Sequence, residues 1–223
     1  KELFGTFNDR QIIADSLEMS ELIKLYNNTY RDFSFALGNL FNLVSQEFGC
    51  DGLQTIALAN EGYKRSQIAR PGLVGGPCLE KDPFILSAGL SSDFYRSMVK
   101  YSREVNERLE RELLLKIQSL ILKVAEPATL FISGLAFKGQ PETNDLRGSN
   151  MVRIARNLRN MGYDIIIHDF VTEKSSLDSL GLGDVVSFDE GIARCDIVII
   201  GNNHVDYKEM KLTLENSGRL VVD

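Results

Sequence analysis

Between Met19 and Phe48 apolar residues recur every three or four positions: Leu22, Tyr26, Tyr30, Phe33, Leu37, Leu40 and Val44. That period predicts one long amphipathic helix with a broad apolar face. Gly49-Cys50-Asp51-Gly52 should close it, because glycine readily takes the left-handed conformation that ends helices. A short second helix is expected from Leu53 to Ala59, then a loop from Tyr63 to Pro77 rich in glycine and basic groups. The helical period returns from Pro83 to Ala125, carried by Met98, Tyr101, Val105, Leu109, Leu113, Leu114, Ile117, Leu120 and Ile121. Ser91-Ser92-Asp93 offers a cap within this stretch. The charges Arg103, Glu104, Glu107, Arg108 and Glu110 read as its solvated face. Long amphipathic helices of this kind wrap a neighbouring domain or bury a stripe against another subunit. Ahead of them, residues 1–16 read as a connector with a short apolar patch at Ile12-Ile13.

After Glu126-Pro127 the pattern changes. Thr129 to Gly134 is a short continuous apolar run, as a parallel strand buried on both faces would be. Val152, Ala155, Leu158 and Met161 mark an amphipathic helix closed by Gly162. Further strands are expected at Asp164–His168, Asp184–Phe188, Asp196–Ile200 and Gly218–Val222. Strands alternating with helices at this spacing indicate a parallel sheet with right-handed crossovers. The fold class is therefore α/β: an all-helical domain over residues 1–126, then a Rossmann-like parallel-sheet domain over 127–223.

Composition narrows the function. A net charge of −6 with no long basic run argues against nucleic acid as a partner. No apolar run approaches the roughly 20 residues of a membrane span, and no secretory leader opens the chain. The 3 cysteines (Cys50, Cys78, Cys195) and 2 histidines are spaced for neither a disulfide framework nor a zinc site. A reduced, cytoplasmic protein without a metal is expected. The chain opens at Lys1 and closes at Val221-Val222-Asp223, so it is expected to be a piece of something longer.

The candidate chemistry centres on Gly75-Gly76-Pro77-Cys78-Leu79-Glu80-Lys81-Asp82-Pro83. A thiol with an unperturbed pKa of about 8.5 needs help to act as a nucleophile. Lys81 and turn amides could lower that pKa, and Asp82 could handle a proton or a water. The same stretch also reads as a plain turn holding a small buried side chain. On the first long helix Lys24, Asn28, Arg31 and Phe35 share one face, which could hold an anion or a developing oxyanion, or be the wet face of that helix. Arg65 and its basic neighbours could clamp a phosphate or be ordinary loop charges. Lys138 and Arg147 follow the first strand of the sheet domain, where ligands of parallel sheets sit. No G-x-G-x-x-G fingerprint occurs in the 223 residues.

Three motifs in order resemble the UDP-glucose/GDP-mannose dehydrogenase family. They are Glu21 to Arg31, Gly75 to Asp82, and Gly134-Leu135-Ala136-Phe137-Lys138 with Asn144-Asp145-Leu146-Arg147-Gly148-Ser149. The resemblance implies the central and C-terminal domains of a nucleotide-sugar 6-dehydrogenase, without its N-terminal NAD-binding domain. It implies a homodimer through the long central helix, a UDP-sugar substrate, and NAD held mainly by a domain absent here. It also implies roles: Cys78 as nucleophile through a thiohemiacetal and thioester, Lys24 on the oxyanion with Asn28 its partner, and Asp82 in thioester hydrolysis. Arg31, Arg65, Gly75, Phe137 and Lys138 are implied as substrate contacts, and Arg147 as a contact to NAD. Two other readings stand beside it, a non-catalytic nucleotide-sugar-binding or dimerisation module and a cysteine hydrolase. His168 and His204 lie at strand ends far from Cys78 in sequence, which disfavours the hydrolase.

Overall fold

A computed structural model of the chain describes residues 12–124 and 127–223. Residues 1–11 of the expected connector and the expected helix end at Ala125 lie outside the described residues. Helix α1 spans Leu17–Glu47, 31 residues and about 46 Å at 1.5 Å per residue. The Ser16 hydroxyl caps it by accepting from the Met19 N–H at 3.1 Å. It ends where Gly49 turns left-handed at φ 70°. The Cys50 N–H then reaches back to the Ser45 carbonyl at 2.8 Å and Gly49 to Gln46 at 3.0 Å, which satisfies the last free carbonyls. Helices α2 (Gly52–Asn60), α3 (Asp82–Ala88) and α4 (Asp93–Ile121) complete the helical half.

The apolar stripe of α1 faces outward. Leu22, Tyr26, Tyr30, Leu37, Leu40 and Val44 are all exposed, and Tyr30 is 74% exposed. The buried face is instead polar and small: Thr29, Asp32, Ala36, Gly38, Asn39 and Ser45. Against it lies α4, which buries Ser102, Arg103 and Asn106. Arg103 therefore departs from the solvated face expected of it. Its guanidinium lies 2.6 Å from the Asp32 carboxylate, with Arg103 3% exposed and Asp32 fully buried. Asn106 donates to the same carboxylate at 2.9 Å, and Ser102 donates to it at 3.0 Å. A buried carboxylate needs such a complete set of donors to stay charged away from water. Asn39 extends the network, donating to Asn106 at 2.9 Å and accepting from Gly72 N–H at 2.9 Å, which pins the loop that leads to Cys78.

The second half is a five-stranded, wholly parallel sheet: β1 (Thr129–Ser133), β2 (Asp164–His168), β3 (Asp184–Val185), β4 (Ile197–Ile200) and β5 (Leu220–Val222). The spatial order is β3-β2-β1-β4-β5, so the chain reverses direction across the sheet between β1 and β4. Side chains alternate between two cores. Leu130 and Ile132 face α5 (Asn150–Asn160), while Phe131 faces α7 (Phe188–Arg194) with Ile192 and Val198. Both faces are covered, which is why the strands read as continuous apolar runs. The last turns of α4 also enter this sheet core through Ile117 and Ile121, so one helix ties the two halves together.

The strand expected over Asp184–Phe188 stops at Val185. Ser187 accepts from the Glu190 N–H at 3.3 Å and starts α7, a Ser-x-x-Glu cap that overrides the apolar run. The remaining elements are the short helices α6 (Lys174–Asp178), α8 (Asp206–Glu209) and α9 (Lys211–Asn216).

Candidate functional site

The loop ahead of Cys78 crosses from the helical half to the sheet half, and its two adjacent glycines make that crossing possible. Gly76 has φ 100°, and a Cβ there would lie 2.8 Å from the Phe137 ring. A Cβ on Gly75 would meet the Gly148 carbonyl and the Asn150 side chain. The Gly76 N–H donates to the Gly148 carbonyl at 2.9 Å. The chain then coils: the Cys78 carbonyl accepts from Lys81 N–H at 3.2 Å and from Asp82 N–H at 2.9 Å, and Asp82-Pro83 opens α3.

Asp82 is the electrostatic centre of this turn. It is 1% exposed, and two groups grip its carboxylate: Lys81 Nζ at 2.5 Å and Asn28 Nδ2 at 2.6 Å. Burial pushes the Asp82 carboxyl upward. The Lys81 and Asn28 hydrogen bonds, with the Lys81 and Lys24 charges, outweigh it and hold its pKa below the usual carboxylate range. The Asp82 hydrogen bond raises the Lys81 ammonium in turn. Cys78 is half-buried, in the same turn as the Lys81–Asp82 ion pair.

The structure thus brings Asn28 of α1 onto Asp82 in the Cys78 turn, while among the described residues Lys24 and Arg147 make no hydrogen bond or ion pair to that turn. Phe137 sits at the carboxyl end of β1, near the strand-order reversal, with its ring against Gly76 and Lys138 Nζ 5.4 Å from its centroid. Arg147 is largely exposed and forks onto Asp145 with bonds of 2.8 and 3.0 Å. Arg31 lies farther along α1, 6.0 Å from the Phe35 ring. Arg65 sits apart, on an exposed surface hollow with Tyr63 and Lys64. Among the described residues it makes no hydrogen bond or ion pair to the Cys78 turn.

The sequence gives no role to Arg153 or Glu80, and Glu110 departs from the solvated face expected of it. Arg153 on α5 bonds Glu80 at 2.5 Å and Glu110 at 2.9 and 3.1 Å, joining the turn, α4 and the sheet half. Each looks like an ordinary helix-surface or turn charge in sequence. The only visible signal is that Glu80 falls inside the cysteine motif.

The α5 N-terminus is where a dinucleotide fold would cradle a pyrophosphate. Here Ser149 caps it, accepting from Val152 N–H at 3.3 Å and donating to the Leu135 carbonyl at 2.6 Å, and Gly75 and Gly76 press on Gly148 and Asn150. That terminus is closed by the chain itself and does not fit a dinucleotide. Among the described residues no group of three or more His, Cys, Asp or Glu could hold a metal, and no helix is long and apolar enough to cross a membrane.

Comparisons with known proteins match this architecture in two blocks. Residues 18–108 match the central domain of the UDP-glucose/GDP-mannose dehydrogenase family, and residues 131–223 match its UDP binding domain. The UDP-N-acetyl-D-mannosamine dehydrogenase of Pyrococcus horikoshii is 29% identical over 215 residues, covering 94% of this chain and 48% of that protein. An NDP-N-acetyl-D-galactosaminuronic acid dehydrogenase of Ralstonia solanacearum is 26% identical, covering 100% of this chain and 51% of that protein. Among solved structures, the Pyrococcus horikoshii UDP-D-ManNAc dehydrogenase superposes with a TM-score of 0.80 at 27% identity, over 99% of this chain and 50% of that one. A UDP-glucose dehydrogenase of Pyrobaculum islandicum shares the fold, with a TM-score of 0.79 at 24% identity over 100% of this chain and 51% of that one. The chain spans about half the length of the curated relatives it matches.

Proposed function

Because the chain belongs to the UDP-glucose/GDP-mannose dehydrogenase family, we propose that it is part of an NAD-dependent nucleotide-sugar 6-dehydrogenase. In this reading the C6 alcohol of a UDP-sugar becomes a carboxylate in two oxidations, with Cys78 holding the intermediate. The observation that carries it is the Asn28–Asp82 hydrogen bond beside Cys78, which joins residues of two separate motifs on one turn.

The oxidations themselves belong to NAD, for which the described residues offer no cradle. This chain's residues supply the chemistry around them. The Cys78 sulfur adds to the C6 aldehyde carbon, the carbonyl electron pair moves to oxygen, and that oxygen takes a proton to give a thiohemiacetal. Lys24 stabilises the oxyanion, with Asn28 beside it. At the thioester stage water adds to the acyl carbon as Asp82 accepts its proton. The tetrahedral adduct then collapses, expelling the Cys78 thiolate and leaving the carboxylate. Lys81 and Asn28 hold Asp82 in the ionised form this step needs, while its lowered pKa makes it a weak base that also orients the water.

Phe137, Lys138 and Arg31 are read as contacts to the UDP-sugar, with Gly75 and Gly76 letting the turn lie close to that site. Arg147 is read as reaching toward NAD, and Arg65 as acting on a second subunit's site. The exposed stripe of α1 is read as a homodimer interface, since contiguous exposed apolar faces mark association surfaces. The three free thiols suit a reducing compartment, which we take to be the cytoplasm. The alternative is a module that binds nucleotide-sugar without chemistry at Cys78.

Iodoacetamide labelling separates the two. The enzymatic reading expects Cys78 to alkylate faster than the exposed Cys50 and to be shielded by UDP-glucose. Slow, unshielded Cys78 in a chain that still binds UDP-glucose would leave only the binding module.

A further inference from the structure

We propose that Arg153 is a positioning residue that locks the Cys78 turn onto the nucleotide-binding half of the chain. This rests on the functional reading of Cys78 but concerns a residue outside the thiol's own surroundings. The turn from Gly76 to Asp82 is tied on one side to α1 by the Asn28–Asp82 bond. On the other side its only side-chain hydrogen bond to the sheet half, among the described residues, is Glu80 to Arg153 at 2.5 Å. Glu80 lies two positions from Cys78, and its carboxylate lies within 2.6 Å of where a Gly148 Cβ would stand.

Arg153 does not grip Glu80 alone. Its Nε and Nη2 both lie on Glu110 Oε2, at 3.1 and 2.9 Å, and Asn150 donates to the same oxygen at 3.2 Å. Arg153 therefore serves as a bracket with one arm fixed on α4 and one arm on the cysteine turn. Burial pushes its guanidinium down, but Glu110 and Glu80 together more than reverse this. A planar fork holding two carboxylates is a geometry that lysine cannot reproduce. The same α5 N-terminus carries Gly148 and Asn150, which press on Gly76 and Gly75, and Phe137 closes on Gly76 from β1. Loss of the bracket leaves the turn held to the sheet half by backbone contact and the Gly76–Gly148 hydrogen bond. The sulfur is then free to shift relative to Asp82.

The test reads the thiol without ligand. Iodoacetamide alkylation of Cys78 is followed by mass spectrometry in the described chain, with exposed Cys50 as the internal reference. Arg153→Met and Glu80→Gln should each speed Cys78 alkylation at least about twofold, the lower range for groups coupled in one ion-pair network, with Cys50 unchanged. Arg153→Lys should restore only part of the wild-type rate. Glu110→Gln removes the other arm and lowers thermal stability comparably, yet keeps the Glu80 contact, so it should leave the Cys78 rate unchanged. Should Arg153→Met fail to fold, Glu80→Gln carries the comparison alone. The proposal is overturned if Glu80→Gln leaves the rate unchanged, or if Glu110→Gln moves it equally. Shielding of wild-type Cys78 by UDP-glucose is scored separately, so a failure of the functional reading shows there and not in the mutant comparison.

Discussion

Asn28 and Asp82 are 54 positions apart and joined by a 2.6 Å hydrogen bond, the contact through which the first long helix reaches the cysteine turn. A hydrogen bond to a charged group contributes about 1.5–3 kcal/mol. In the proposed full-length nucleotide-sugar dehydrogenase, Asn28→Ala should therefore lower kcat/KM about 10- to 100-fold, with the loss chiefly in kcat. Steady-state kinetics decide it, and unchanged kcat would remove Asn28 from the chemistry.

The Lys81 and Asn28 bonds to Asp82 together set a pH dependence. Asp82 is held below its ordinary range, so its contribution to stability is complete above its unfolded pKa of about 4. That contribution is lost as pH falls through the folded value. Urea midpoints should consequently drop more between pH 5 and pH 3 for wild type than for Asp82→Asn. Asn28→Ala raises the folded pKa toward the ordinary range and should show an intermediate drop. Equal drops in all three would mean that Asp82 is not held charged by its neighbours.

Arg103 and Asp32 form a buried ion pair, 3% and 0% exposed. Removing one partner strands the other charge and costs about 3–5 kcal/mol. Arg103→Met should lower the free energy of unfolding by that order, while Asp32→Leu/Arg103→Met together should cost less than the two singles summed. Additive losses in urea denaturation would show that the two charges act independently.

Gly76→Ala meets both a left-handed backbone and the Phe137 ring, a combination expected to cost about 1–3 kcal/mol. Gly72→Ala has open space around it and should be close to neutral. If the two variants unfold at the same urea concentration, the fit of the turn against Phe137 is looser than its geometry implies.

The outward stripe of α1 should pair two copies. Sedimentation at micromolar concentration is expected to give a dimer, and Tyr30→Glu/Leu37→Glu a monomer with unchanged circular dichroism. A monomeric wild type would assign the stripe to some other cover.

The periodicity of the chain was enough to determine the two long helices, four of the five strands in outline, and the change from helical to parallel-sheet architecture. These follow from short-range rules, in which alternation and capping are written in neighbouring residues. The cysteine motif could be singled out as a candidate for a related reason, since Cys78, Lys81 and Asp82 lie within one turn. What periodicity cannot carry is which face of a helix meets the rest of its own chain. An apolar stripe on α1 predicts burial, yet the face that packs within the chain is the one bearing Asp32 and Asn39, because α4 brings Arg103 and Asn106 opposite them. Arg103 looked solvated for that reason, and Arg153 looked like an ordinary surface charge until Glu80 and Glu110 were placed beside it. The cysteine turn opened as a motif of glycines and a thiol. Only the tertiary structure made it a bridge, with Asn28 on one side and Gly148 and Arg153 on the other, because pairings across such sequence distances are set by packing.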